Sequence, residues 1–267
     1  MDRDKKIEYL RKIRRYYNMV TPAYLRCMGT TLQGGLIRVE NIEPDARRSN
    51  VYIAIKAEIQ SGHWVLDAGC GVCGPSIDIA QSIPNLHIAA ITISPVQANL
   101  AKKFVHHAGL AEHIEIAIAD YHDLPFCDSI FDRAMFLESS EYSYDRKHLF
   151  REVYRVLRPC GILYIKYVFI EDRPLTDEEL LALSESEEVY ALRLATMRET
   201  ANAIKEAGFK KIDSQVIDDV ISTDHFARAM VYREGNRTEL TELGKLHVRP
   251  TMHLHTPVHF GEIKAYK

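Results

Sequence analysis

No run of apolar residues in this chain approaches the roughly 18 that a membrane-crossing helix needs. The longest candidate, Ile162 to Ile170, is short and interrupted by Lys166, so a buried strand is expected there. Neither sign of charge dominates: 34 Lys and Arg stand against 37 Asp and Glu, for a formal net charge of -3. That balance gives no basic field for wrapping a polyanion, which excludes nucleic acid as the main partner and leaves room only for a local basic pocket. Cysteine is scarce and odd in number, at Cys27, Cys70, Cys73, Cys127 and Cys160. Reduced thiols are therefore expected rather than a disulfide framework. Cys70 and Cys73 form a Cys-x-x-Cys, but no second pair or histidines stand at ligand spacing, so no metal site is expected. The first residues, Asp2-Arg3-Asp4-Lys5-Lys6, lead into no apolar stretch, and the expectation is a cytoplasmic protein without a secretory signal or membrane span. What remains is 267 residues, 46% of them hydrophobic, enough to bury a sizeable core and to take a small molecule as partner.

The hydrophobic rhythm gives the organisation. Ile7, Leu10, Ile13, Tyr16 and Tyr17 recur at three and four among basic residues, the period of an amphipathic helix over 5–18. Pro22, Gly29, Gly34, Gly35 and Pro44 predict loop with short helical pieces over 19–48, and 51–60 is again helical. From Trp64 the pattern alternates. Strands are expected at 64–67, 86–93, 114–119, 134–137 and 162–169, and helices at 75–81, 95–107 and 146–157. Such alternation implies parallel crossovers and a doubly wound α/β sheet. The rest departs from it: a long acidic helix over 176–207, a strand at 210–217, helices over 224–235 and 239–246, and a last strand at 260–266. The expected division is a helical arm or lid over 1–60 and a cofactor domain over 61–267, with a helical cover inserted at about 171–200. The arm could also be exchanged between protomers of a homo-oligomer.

Val65-Leu66-Asp67-Ala68-Gly69-Cys70-Gly71-Val72-Cys73-Gly74 places a strand, a glycine turn and a helix start in succession. Backbone N–H groups can approach a ligand closely at such a turn. Gly69, Gly71 and Gly74 also satisfy the dinucleotide pattern Gly-x-Gly-x-x-Gly. Against a nicotinamide cofactor, Asp67 precedes the first glycine, and Thr92 ends the next strand where a ribose-binding carboxylate would be expected.

Four stretches in order carry a resemblance: Asp67-Ala68-Gly69-Cys70-Gly71; Ile91-Thr92-Ile93-Ser94-Pro95-Val96-Gln97; Asp120-Tyr121-His122-Asp123-Leu124-Pro125-Phe126; and Arg155-Val156-Leu157-Arg158-Pro159-Cys160-Gly161. They resemble the ordered motifs of class I S-adenosylmethionine-dependent methyltransferases, in the branch with sterol and prenyl diphosphate C-methyltransferases. The resemblance implies a Rossmann-like, mostly parallel seven-stranded sheet and S-adenosylmethionine as cofactor. It further implies that Gly69 and Gly71 let the loop pass beneath the methionine part, with Asp67 ordering the loop or meeting the ammonium group. Thr92 and Gln97, flanking Ile93, would bond the ribose. Asp120 would accept from the adenine amino group, with Tyr121 or His122 beside the ring. Cys160 stands where the family often has a second glycine.

The substrate reading rests on Leu137-Glu138-Ser139-Ser140-Glu141-Tyr142, which follows a strand and resembles the Glu-Ser-Thr-x-Tyr segment of prenyl diphosphate C-methyltransferases. Attack by an alkene carbon develops a carbocation, so carboxylates and aromatic faces are the groups to seek. Glu138, Glu141 and Tyr142 are the expected catalytic residues. Tyr17 joins them because Tyr16-Tyr17-Asn18 resembles the Tyr-Tyr-Asp entry of the branch, whose arm closes over the site. A diphosphate would need Mg²⁺ or fixed cations, for which Arg14, Arg15, Arg193, Arg198 and Arg228 are candidates. His247, His253, His255 and His259 crowd the tail and are expected mainly at the surface or an interface. The alternatives are O- or N-methylation with a base such as His122, His148 or Glu138, and cofactor binding without catalysis.

Overall fold

The computed structural model describes residues 3–39, 45–234, 237–248, 251 and 254–267. In chain order its elements are α1 (Arg3–Met28), β1 (Leu36–Ile37), α2 (Ala46–Lys56), β2 (Trp64–Ala68), α3 (Gly74–Ser82), β3 (His87–Thr92), α4 (Pro95–His107), β4 (Ile114–Ile118) and β5 (Phe131–Leu137). There follow α5 (Arg146–Val156), β6 (Leu157–Ile170), α6 (Asp177–Tyr190), α7 (Met197–Glu206), β7 (Lys211–Val216), β8 (Ile221–Ser222), α8 (Asp224–Met230), β9 (Val231–Glu234), β10 (Arg237–Leu240), α9 (Glu242–Leu246) and β11 (Val258–Tyr266).

One seven-stranded sheet runs in the order β4-β3-β2-β5-β6-β11-β7. The first five strands are parallel, and β11 lies antiparallel between β6 and β7. Val65, Leu66 and Ala68 of β2 are all fully buried, because helices cover both faces and the strand has no solvent side. One core lies between the sheet and α2, α3 and α4, around Ile53, Val65, Ile79 and Val105. The other lies beneath α5 and α7, around Leu66, Phe136, Phe150 and Ile204. Chain order reverses between β2 and β5, since β3 lies to one side and β5 to the other. Ligands bind outside the carboxyl ends of strands at that switch point.

Three segments differ from the sequence expectation, each for a local reason. Helix α1 continues through Pro22 to Met28 where a loop is predicted from Met19. Val20, Ala23 and Tyr24 are buried in a core of their own against Leu243 and Ala229, and that packing outweighs the roughly 3 kcal/mol that an interior proline costs. The long acidic helix divides: Ala191 turns left-handed at φ +56° and ends α6, and a capping box of Thr196 and Glu199 starts α7. The helix expected over 224–235 stops at Met230, and the chain enters the β9–β10 hairpin.

Residues 30–37 form a strap that crosses the sheet's carboxyl end and is fixed at one edge by antiparallel pairing of β1 with β8. Helix α1 lies across the β3–α4 turn: Arg14 donates to the Ile93 carbonyl at 3.2 Å, and Ser94 donates its hydroxyl to Asn18 at 2.7 Å. Among the described residues no helix is long and apolar enough to cross a membrane.

Candidate active site

The β2–α3 turn forms the floor of a cleft of about 870 Å³, open mouth included, roofed by Leu10, Ile13 and Tyr17 of α1. Gly69 adopts φ +95°, and a Cβ there would stand 2.4 Å from Cβ of Ser139. Glycine is thus required twice over, by the left-handed turn and by the close approach of the β5 turn. Cys73, at the N-cap of α3, is itself left-handed and fully buried.

Polar groups line this cleft from end to end. Asp67 is buried and accepts from the Ser76 hydroxyl at 2.6 Å; burial raises its carboxyl to about 6 despite that bond. Thr92 donates to Oε1 of Gln97 at 2.7 Å, so the carboxamide is held with its donor end turned away from Thr92. Ser94 caps α4 by accepting from the Gln97 N–H, which fixes the turn carrying Ile93. Asp120, past the end of β4, takes 2.7 Å from Nδ1 of His122, whose Nε2 lies 2.8 Å from the Ser143 hydroxyl. The Asp120 carboxylate can only accept, so the His122 proton sits on Nδ1 and Nε2 accepts from the Ser143 hydroxyl. Burial would raise the Asp120 carboxyl, but the bonds from His122 outweigh it and leave it below its ordinary value.

This set fits S-adenosylmethionine. The left-handed glycine cradle suits close backbone approach, and Asp67 is a carboxylate for an ammonium group. Thr92 and Gln97 are neutral hydrogen-bonders for a diol, Asp120 is an acceptor for an amino group, and Ile93 and Tyr121 are flat or apolar neighbours for a ring. Where the sequence left Tyr121 or His122 beside that ring, the structure gives Tyr121 a place on the cleft wall. His122 is 1% exposed and lies behind Asp120, stacked on Tyr144 at 3.6 Å. It positions the carboxylate and does not face the cleft.

Of the expected catalytic residues, Glu138, Glu141 and Tyr142 sit at the other end, after β5, and Tyr17 reaches that end from α1. Glu138 lines the cleft in a left-handed conformation, φ +55°, a strained backbone for a glutamate. Its Oε1 accepts from Nζ of Lys166 at 2.7 Å and from the Gly35 N–H at 3.2 Å; its Oε2 accepts from the Gly34 N–H at 2.6 Å. Lys166 is fully buried and also donates to Gln33 and the Gly35 carbonyl. Glu138 therefore latches the strap as well as facing the cleft. Tyr17 and Tyr142 line the same end, with rings edge to face at 5.2 Å. Tyr16 turns away, its hydroxyl 2.8 Å from His247. Glu141 is buried behind these rings with neither carboxyl oxygen bonded.

The sequence reading missed Lys166 as a site residue, treating it only as a break in an apolar run. A lysine inside a buried strand must find a counter-charge, and that requirement was the available signal. The strap residues Thr30, Leu32 and Gln33 also line the cleft without any local pattern that marks them. Of the other candidates, Arg193 stacks on Tyr9 at 4.8 Å and Arg198 pairs with Asp172. His247 is buried rather than at the surface, and His255 lies 3.8 Å from Glu171. His253 lies outside the described residues. Among the described residues no group of three or more His, Cys, Asp or Glu could hold a metal.

Known proteins place the chain. A family model described as a methyltransferase domain matches residues 66–165. The sterol 24-C-methyltransferase of Pneumocystis carinii is 27% identical over 214 residues, 78% of this chain and 56% of that protein. The O-methyltransferase cnsE of Penicillium expansum is 30% identical over 193 residues, 69% of this chain and 68% of that protein. The chain thus spans little more than half the length of the sterol methyltransferases it matches. Among solved structures, the [4+2]-cyclase SpnF superposes with a TM-score of 0.76 at 20% identity, covering 97% of this chain and 96% of that one. Geranyl diphosphate C-methyltransferase of Streptomyces coelicolor A3(2), in complex with Mg²⁺, geranyl diphosphate and S-adenosyl-L-homocysteine, gives 0.73 at 15% identity and 97% coverage of both chains. These two likenesses establish the fold, and a cyclase among them is a reminder that the fold alone does not set the reaction. The cofactor geometry, the matched domain and the 30% identical relative agree: the chain belongs to the class I S-adenosylmethionine-dependent methyltransferases, with sterol C-methyltransferases among its relatives.

Proposed function

We propose that the protein transfers a methyl group from S-adenosylmethionine to an alkene carbon of a small isoprenoid. The observation that carries this reading is the wall at the acceptor end of the cleft, where the rings of Tyr17 and Tyr142 meet the carboxylate of Glu138. The cofactor, when bound, supplies an electrophilic methyl group. The protein's residues then have three tasks. Helix α1 and the strap close the cleft over the reacting centre and exclude water. The aromatic faces stabilise the positive charge that appears on the acceptor when its π electrons form the new carbon–carbon bond. Glu138 takes the proton lost from the neighbouring carbon as the double bond returns; Oε2 accepts a single hydrogen bond and so keeps a lone pair for that proton.

The sequence resemblance and one structural neighbour suggest a prenyl diphosphate as the isoprenoid. Among the described residues lining the cleft there is no lysine or arginine. A diphosphate would have to reach the cations of the outer groove, where Arg11, Lys12, Arg15 and Arg193 lie along α1.

The test is transfer from ¹³C-methyl-labelled S-adenosylmethionine to isopentenyl, dimethylallyl, geranyl and farnesyl diphosphates and their free alcohols, with and without Mg²⁺, read by NMR. Label on carbon supports the reading. Label on oxygen or nitrogen, or no transfer to any isoprenoid while the cofactor binds, overturns it.

A further inference from the structure

Methyl transfer in the cleft leaves the outer face of α1 without a task. Leu10, Ile13 and Tyr17 of that helix roof the cleft. At 3.6 residues per turn, Arg11, Lys12, Arg15 and Met19 fall on the opposite side, and all four are exposed, Met19 by 55%. Together with Lys5 and Arg193, the three cations line a groove of about 1150 Å³, open solvent included, in which Glu8 is the one acid among the described lining residues.

This face is not neutralised from within. Arg26, Arg173 and Arg198 are also exposed, and each holds a carboxylate, from Glu242, Glu179 and Asp172 respectively. Among the described residues Arg11, Lys12 and Arg15 form no ion pair, although Glu8 stands one turn away. Like charges three and four residues apart on a helix repel, so the row costs α1 stability unless something outside the chain supplies the counter-charge.

We propose that the outer face of α1 docks the protein on an anionic bilayer surface. From Lys5 to Arg15 the row spans about 15 Å at 1.5 Å per residue, too long for a single phosphate and suited to several side by side. A nucleic acid also offers such a series, but the one ring among the described lining residues, Tyr9, carries the Arg193 guanidinium at 4.8 Å where a base would stack. The exposed Met19 in the same row suits the edge of a leaflet instead. Clusters of roughly four to eight Lys and Arg on an amphipathic helix recognise anionic headgroups, each cation contributing about fivefold in affinity. Docking by this face lays the roof of the cleft against the leaflet, so an isoprenoid dissolved there needs no passage through water. That link to the acceptor rests on the methyl-transfer reading; the docking itself does not.

The test is co-sedimentation of the full chain, saturated with S-adenosylhomocysteine, with vesicles of phosphatidylcholine alone or with about 30% phosphatidylserine, at about 0.05 and 0.5 M salt. The protein is expected to pellet with the anionic vesicles at the lower salt and to stay in solution with phosphatidylcholine or at the higher salt. The triple variant Arg11→Gln/Lys12→Gln/Arg15→Gln should bind anionic vesicles about 100-fold more weakly, three fivefold steps, whereas Arg11→Lys/Arg15→Lys should stay within about twofold of wild type. Unchanged S-adenosylhomocysteine affinity and a melting temperature no lower than wild type show that the triple variant is folded, since only mutually repelling charges are removed. Equal binding to phosphatidylcholine, no binding to either vesicle, anionic binding indifferent to the triple variant, or tighter binding of a single-stranded RNA oligonucleotide than of the anionic vesicles overturns the inference. Sedimentation is read without acceptor or methyl transfer, so failure here leaves the proposed reaction standing, and failure of that reaction leaves the docking face standing.

Discussion

The two ends of the cleft are built differently. At the cofactor end, each group bonds a partner a few residues away, within the segment that follows one strand: Asp67 with Ser76, Thr92 with Gln97, Asp120 with His122. At the acceptor end the partners are far apart in the chain: Gly34 with Glu138, Gln33 with Lys166, and α1 over both. The cofactor end is satisfied internally, whereas the acceptor end holds a strained Glu138 and an unbonded Glu141. A fixed ligand can be met by local, self-contained geometry. Choice of acceptor falls to the long-range contacts.

The largest expected effect tests whether the acceptor end depends on its buried ion pair. Lys166→Met leaves Glu138 without its counter-charge and should lower unfolding free energy by about 3–5 kcal/mol in urea titration. The double variant Glu138→Gln/Lys166→Met should recover much of that loss. If the two losses simply add, the pair is not what holds the strap.

At the cofactor end, Asp67 gives the next effect. Its carboxyl is raised to about 6 in the fold, so its burial is without cost below its ordinary pKa and is felt increasingly as pH rises through 6. Asp67→Asn should therefore match wild type near pH 4 and exceed it by up to about 3 kcal/mol above pH 7, while weakening cofactor binding. A difference that is flat with pH would contradict the burial argument. Asp120→Ala should weaken S-adenosylmethionine binding by about 1–2 kcal/mol by calorimetry, as expected for one charged hydrogen bond. Unchanged affinity would remove the adenine assignment.

The smallest effect lies outside the cleft. Cys160 is left-handed at φ +65° and exposed, in the turn where the family often has glycine. Cys160→Gly should raise stability by about 1 kcal/mol or less with no change in turnover.

This division also explains what the sequence made legible. Strands with apolar cores, the glycine turn and the Thr92–Gln97 ending are local patterns, and the α4 expectation of 95–107 agrees with the observed helix. The carboxyl end of β5 was legible as a place for carboxylates. That Glu138 would be bonded and Glu141 bare depends on Lys166 and the strap, which no window of neighbouring residues contains. Tyr17 and Tyr16 were indistinguishable by periodicity, and only the packing of Tyr16 with His247 separates them. Helix α1 outran its prediction because the penalty of Pro22 is local and the burial of Val20 and Ala23 is not.

The central claim, that one end holds the cofactor and the other performs the chemistry, is tested most directly by measuring cofactor affinity and turnover together on Glu138→Gln. The account predicts S-adenosylmethionine affinity within about twofold of wild type and turnover reduced by about 100-fold or more. Parallel loss of both, in protein shown by calorimetry to remain folded, would contradict it.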